Sequence, residues 1–166
     1  PEVYAQERIG VRQIGQVPIA TILPAGLLTL NTIYNIYFTR STPYSLPFIL
    51  GMISSSVVQW FWRQMHFDQK KTFPKIKKEA LLSIPVPRID FADPREKQIH
   101  DKITSHVTHL LEMNQRLSKA RTANEREGLR RRVEAFDKLL DRMISQLYGL
   151  TDEEAALLQP DTAKGL

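Results

Sequence analysis

The 166-residue chain has no cysteine, which excludes disulfide staples, cysteine-ligated zinc and thiol nucleophiles. That absence fits a reducing compartment, and a cytoplasmic location is the expectation. None of the seven glycines stands two residues from another, so no Gly-x-Gly turn exists to cradle a nucleotide or a dinucleotide. Long apolar runs are missing too. The longest mainly apolar stretch, residues 46–62, is interrupted by Pro47, Gly51, three serines and Gln59, which falls short of the roughly eighteen residues of a membrane span and reads as a buried helix. Neither an initiating methionine nor a basic-then-apolar leader opens the chain, so Pro1 is read as a cut within a longer protein, although a removed tag would look the same.

What is present is an ordinary globular composition, with 42% apolar and 25% charged residues, enough for one domain plus an extension. The net charge of +5 is unevenly spread. Residues 1–58 carry +1, residues 59–88 carry +5 and residues 89–166 carry −1. Because a field acts where its charges cluster, the middle segment is where an anionic partner would dock. It contains "FDQKKTFPKIKKEALLSIPVP", a lysine-rich run just ahead of an apolar stretch ending in two prolines.

Residues 8–38 show partial apolar–polar alternation with many β-branched and aromatic side chains, which predicts strands. Pro24-Ala25-Gly26, between "IATIL" and "LLTL", suits a hairpin turn. A helix over 47–65 should cover the sheet with Ile49, Leu50, Met52, Ile53, Val57, Trp60 and Phe61. Leu82, Ile84 and Val86 alternate as on a short strand, which Pro85 and Pro87 would confine to a sheet edge.

From Asp93 the pattern becomes helical. Asp93-Pro94-Arg95-Glu96 combines an N-cap, a first-turn proline and a capping-box-like glutamate. Ile103, Val107, Leu110 and Leu117 follow at heptad spacing, with Asn114 in the skipped site. The rhythm resumes at Leu129, Val133, Phe136, Leu140, Met143 and Leu147, predicting two long helices packed as an antiparallel, coiled-coil-like hairpin. Gly149 should close the second helix, and Thr151-Asp152-Glu153-Glu154 should cap one more. The fold class expected is α+β: a small, mainly antiparallel sheet with a packed helix, then the long helical hairpin. The boundaries expected are an α+β unit over 1–90, the hairpin over 91–158 and a flexible tail over 159–166.

No catalytic constellation emerges. "STPYS" at 41–45 resembles the Asn/Asp/Ser-Pro-Pro-Tyr loop of amino-methyltransferases, but Thr42 replaces the first proline and no methyl-donor loop precedes it, so a plain turn is the better reading. His106 and His109, near His100 and Glu112, lack a third ligand at recognisable spacing and read as a solvated face, so no metal site is expected. Asp68-Gln69-Lys70 resembles half of a nuclease motif without a partner carboxylate. Tyr34, Tyr37, Trp60, Phe61 and Trp62 read as packing before they read as a base-stacking platform.

Better candidates for binding are the cations. Lys70, Lys71, Lys75, Lys77 and Lys78, with Arg63, could neutralise several phosphates, although a merely solvated loop is the plainer alternative. Arg12 and Gln13 in "VRQIG" offer the bidentate groups that suit guanine and adenine edges, as do Arg40 and Gln64. Surface decoration is the competing reading for all four.

In their order and spacing, "VRQIGQVPIAT", "LTLNTIYNIYF", "FILGMISSSVVQWFW", "TFPKIKKEALLSIPVP" and "DRMISQLYGLTDEEAALL" resemble the TaqI-type C-terminal specificity domain. This is the target-recognition part of adenine-specific DNA methyltransferases and of fused type IIG restriction-modification enzymes. The resemblance covers roughly residues 8–158. It implies sequence-specific double-stranded DNA as partner and an N-terminal methyltransferase domain, binding S-adenosylmethionine, elsewhere in the same protein. This piece itself would carry no cofactor and no reaction. The helical tail also resembles the paired helices of type I specificity subunits. A half of such a subunit, or a helical oligomerisation module without DNA binding, are the rival readings.

Overall fold

The computed structural model describes residues 2–66 and 74–158. After a single 3-10 turn at Glu2–Tyr4, three strands form one antiparallel sheet: β1 (Arg8–Arg12), β2 (Ala20–Leu23) and β3 (Ile33–Ile36), in the order β2-β1-β3. β1 is therefore central, and Ile9 and Val11 are completely buried. Pro24-Ala25-Gly26 does turn, with Gly26 at φ 81°, but the strands flanking it do not pair. Leu23 of β2 lies opposite Arg8 and Ile36 of β3 opposite Ile9, so both flanking strands bond to β1 and the expected hairpin is replaced by a crossover.

The expected single helix over 47–65 is two: α1 (Leu46–Ser54) and α2 (Ser56–His66). Ser55, extended at φ −67° and ψ 153°, breaks them. Its hydroxyl donates to the Met52 carbonyl (2.8 Å) and accepts from the Val58 N–H (3.3 Å), serving the end of one helix and the start of the next. The Ser56 N–H donates to Asp141 Oδ1 at 2.8 Å. This break shifts the phase of the second half, so Val58 and Trp62 are buried while Trp60 is exposed.

α3 (Lys78–Leu82) ends at Leu82, the first residue of the expected strand. Lys-Glu-Ala-Leu-Leu are all good helix formers, and three alternating apolar residues are too few to specify a strand. The segment beyond α3 pairs in no ladder. Its proline carbonyls accept from side chains instead: Tyr148 Oη donates to Pro85 (2.6 Å) and Tyr44 Oη to Pro87 (3.2 Å).

α4 (Pro94–Lys119) and α5 (Ala123–Leu147) form the hairpin, and α6 (Asp152–Leu157) follows. Asp93 caps α4 by accepting from the Arg95 N–H at 2.8 Å, and Glu96 reaches back to the Asp90 N–H at 2.7 Å. Ile103, Val107, Leu110 and Met113 meet Val133, Leu140 and Ile144 along the seam. Met113 fills the place beside the skipped heptad position, where Asn114 turns out and donates to the Leu110 carbonyl at 3.0 Å. α5 closes in a Schellman motif: the Gly149 N–H donates to Gln146 O and the Leu150 N–H to Ser145 O, both at 3.0 Å, with Gly149 at φ 76°. Thr151 and Glu154 complete a reciprocal capping box on α6.

α1 joins sheet and hairpin. Gly51 sits so close to α4 and α5 that a Cβ there would lie 2.8 Å from Val107 Cγ2 and 3.6 Å from Ile103 Cγ2 and Ile144 Cδ1. The buried cluster runs without a gap from Ile9 and Val11 through Phe48 and Met52 to Ile103, Val107 and Ile144.

Candidate nucleic-acid interface

Pro74 to Lys78 is held against the sheet by its own backbone. Beyond Arg12, the β1 chain continues to Gly15: the Ile76 N–H donates to Gln13 O (2.9 Å), the Gly15 N–H to Pro74 O (3.0 Å), and Ile14 and Lys75 form an antiparallel bridge. Ile76, 2% exposed, packs with Trp62 and Ala80 in a small second core, touched by Val17, Tyr34, Leu81 and Ile84. In extended chain neighbours point to opposite faces, so burying Ile76 turns Lys75 and Lys77 outward. Both are exposed, as is Lys78. Lys77 and Lys78 occupy the N-cap and first position of α3, where a cation opposes the helix dipole, so helix stability does not account for them.

These lysines surround a concavity of about 410 Å³ lined by Gln13, Ile14, Asn31, Thr32, Tyr34, Lys75, Ile76, Lys77, Lys78 and Glu79. Of the ten candidate residues, Gln13, Lys75, Lys77 and Lys78 meet here. Arg12 is exposed at the end of β1, one residue before Gln13. Arg40, in the segment after β3, and Arg63 and Gln64, on α2, do not line the cavity. Lys70 and Lys71 lie outside the described residues. Asn31 and Thr32 were not singled out from the sequence, although a polar pair interrupting "LTLNTIYNIYF" was the available signal. Along the same face a second, apolar groove of about 560 Å³ runs between β3, α1 and α3, sharing Tyr34 and Lys78 with the first.

Sequence reasoning also missed Arg8, which is completely buried. Its guanidinium lies 4.8 Å from the centre of the Tyr4 ring and donates through Nε to Asn35 Oδ1 (2.7 Å), through one terminal nitrogen to the Pro24 carbonyl (3.1 Å) and through the other to the Leu27 carbonyl. A buried cation is expensive unless its donors are satisfied. Here three of them are satisfied by Asn35 of β3 and by the Pro24 and Leu27 carbonyls, so Arg8 ties the chain between β2 and β3 to the sheet.

Elsewhere the polar motifs have structural partners. The Thr42 hydroxyl accepts from the Tyr44 N–H (3.3 Å), and the Tyr44 ring packs on Phe48, Phe91 and His100. His100 is buried: its Nε2 accepts from the Ser45 N–H (3.2 Å), which leaves Nδ1 to donate to Asp101 Oδ1 (2.9 Å). Hydrogen bonds from Lys97 and then His100 hold the Asp101 carboxyl below the usual range. His106 stacks on Phe136 at 5.1 Å and His109 Nδ1 is 3.7 Å from Glu112. Asp68, Gln69 and Lys70 lie outside the described residues. No helix among the described residues is long and apolar enough to cross a membrane.

Comparison with known proteins bears on this face. The chain is 27% identical over 116 residues to the type II restriction enzyme and methyltransferase RM.Eco57I of Escherichia coli, an alignment covering 69% of this chain and 11% of that protein. The chain thus spans about a tenth of its relative's length. A family model matches residues 1–86, the stretch that builds the sheet, α1, α2 and the lysine cavity. That match takes in more than half of the residues, and the chain belongs to the TaqI-like C-terminal specificity domain family.

Proposed function

We propose that this chain is the double-stranded DNA recognition part of a longer restriction-modification protein. Its target sequence is read by the sheet end around Gln13, Asn31 and Thr32, and its grip on the backbone comes from Lys75, Lys77 and Lys78. The observation that carries this reading is the cavity in which three exposed lysines, fixed by buried Ile76, face side-chain amides and a hydroxyl presented by the sheet. Lysines supply sequence-independent phosphate contacts, whereas amides and hydroxyls match the donor–acceptor edges of bases. Arg12 joins the reading set, and Arg40, Arg63, Gln64, Lys70 and Lys71 extend the contact.

In the whole protein the reaction is adenine-N6 methylation from S-adenosylmethionine, with or without cleavage, in a separate N-terminal domain. This chain does not fit that cofactor. Gly15 and Gly26 stand alone after β1 and β2 with no Gly-x-Gly, and Glu79 is the one carboxylate among the residues lining the two cavities. No methyl-transfer step is therefore assigned to it. A cytoplasmic setting follows from the DNA substrate. The helical seam is filled within the chain by Leu140 and Ile144, with Phe136 against His106, which favours DNA recognition over an oligomerisation module.

Selection of bound duplexes from a randomised pool, read by sequencing, tests the proposal. A defined motif should be enriched, and Gln13→Ala or Asn31→Ala should relax one position of it. Enrichment of no motif would overturn sequence reading. Replacing Lys75, Lys77 and Lys78 by glutamine should weaken all duplexes alike and flatten the log–log salt dependence by roughly 0.9 per lost phosphate contact.

A further inference from the structure

The −1 of residues 89–166 conceals a second cationic pole. Residues 116–132, the end of α4, the turn and the start of α5, hold seven basic and two acidic side chains, a net +5 equal to that of the lysine segment. The compensating carboxylates lie further along the hairpin and in α6. α4 rises about 1.5 Å per residue, so Lys119 stands roughly 18 Å beyond Val107, the residue against Gly51.

This tip is rigid. Thr122 caps α5 by accepting from the Glu125 N–H (3.2 Å), Glu125 Oε2 accepts from the Arg121 N–H (3.2 Å), and Arg126 donates to the Ala120 carbonyl at the end of α4 (3.2 Å). Glu127 takes Arg131 at 2.9 Å and Arg130 at 4.0 Å. Arg116, Lys119, Arg121 and Arg132 have no side-chain ion pair among the described residues. Arg116 of α4 and Arg132 of α5 line one depression of about 370 Å³ with Glu125, Gly128 and Leu129. A Cβ at Gly128 would meet nothing within 4 Å, so the space beside that residue is open. Two arginines from different helices thus line one cleft, and Glu125, the carboxylate that lines it with them, is already engaged by the turn.

We propose that this cleft seats a backbone phosphate of duplex DNA, making the hairpin tip a second contact, separate from the lysine cavity and devoid of sequence reading. The planar fork of arginine matches phosphate geometry. The choice of duplex DNA as the polyanion rests on the proposed function.

The test measures the affinity of the full 166-residue chain for a mixed-sequence duplex at several salt concentrations, with three variants. Arg116→Gln/Arg132→Gln should flatten the log–log salt slope by roughly 0.9, the amount for one phosphate, without changing the motif enriched from a randomised pool. Arg116→Lys/Arg132→Lys should retain the slope. Lys75→Gln/Lys77→Gln/Lys78→Gln should lower the slope by a separate, additive amount. An unchanged slope in the glutamine tip variant overturns the proposal and leaves the cluster to an acidic protein partner or to solubility. Flattening by the tip variant together with no effect of the lysine variant sustains the tip contact while overturning the lysine reading.

Discussion

The packing of α1 on α4 can be tested at Gly51. In an exposed helix interior Gly→Ala stabilises by about 1 kcal/mol. Here the added methyl would lie 2.8 Å from Val107 Cγ2. A helical valine is largely confined to one rotamer, so its methyl cannot swing aside and the helices must part. Overpacking of this kind costs about 1–3 kcal/mol, so Gly51→Ala alone should be destabilising by about 0–2 kcal/mol. Val107→Ala removes two methyl groups, worth about 1.6 kcal/mol at roughly 0.8 each, together with a cavity cost. In that background the methyl added at position 51 would enter the vacated space, and Gly51→Ala should become stabilising by about 1 kcal/mol. The two substitutions should therefore couple by about 1–3 kcal/mol, a range typical of contacting residues. Urea unfolding followed by circular dichroism at 222 nm measures the four stabilities of the cycle. Equal stabilisation by Gly51→Ala in both backgrounds would refute the close approach.

Replacing Arg8 by lysine leaves one donor head where three hydrogen bonds converge. Amides of residues 27–32 should exchange with deuterium at least several-fold faster, while those of the α4–α5 seam are unchanged. Burial pushes the Tyr148 phenol up to about 12, so an absorbance titration at 295 nm should show a late ionisation step. Its stabilisation is fully present below an unfolded-state pKa near 10 and is lost as pH rises toward 12; Tyr148→Phe should abolish the late step. Asp141 is raised above 3.8 by burial, partly offset by the Ser56 N–H, so its share of stability is present below 3.8 and falls as pH rises through the native value. Asp141→Asn, whose amide oxygen can still accept from Ser56, should gain on the parent across that window, as read from midpoints at several pH values. A constant difference would count against the burial.

Local signals were legible from the sequence. Asp93, Pro94, Gly149, Thr151 and Glu154 mark helix ends because capping partners lie within a few residues. The heptads of the two long helices revealed a seam because its spacing is written along one chain segment. The pairing of β1 with both other strands was not legible, since register joins residues far apart. Nor was the helix break at Ser55, where Asp141 arrives from α5 to take the Ser56 N–H. Three alternating apolar residues at 82–86 imitated a strand because neither the proline carbonyls' distant donors nor the helical preference just upstream shows in alternation.

For the candidate site, charge density pointed to the lysines, and the family resemblance to their use. Averaging over 89–166 hid the hairpin tip, because opposite charges that cancel in a sum are separated in space. By itself the sequence determined that two long helices and a short one follow Asp93, where their ends fall and that residues 59–88 carry a cationic excess, all consequences of short-range chemistry. Tertiary structure alone decided that Ile76 would anchor the lysines beside Gln13, Asn31 and Thr32, that Arg8 would be buried against Tyr4, Pro24, Leu27 and Asn35, and that Arg116 would share a cleft with Arg132. Those juxtapositions exist only once distant parts of the chain exclude water from between them.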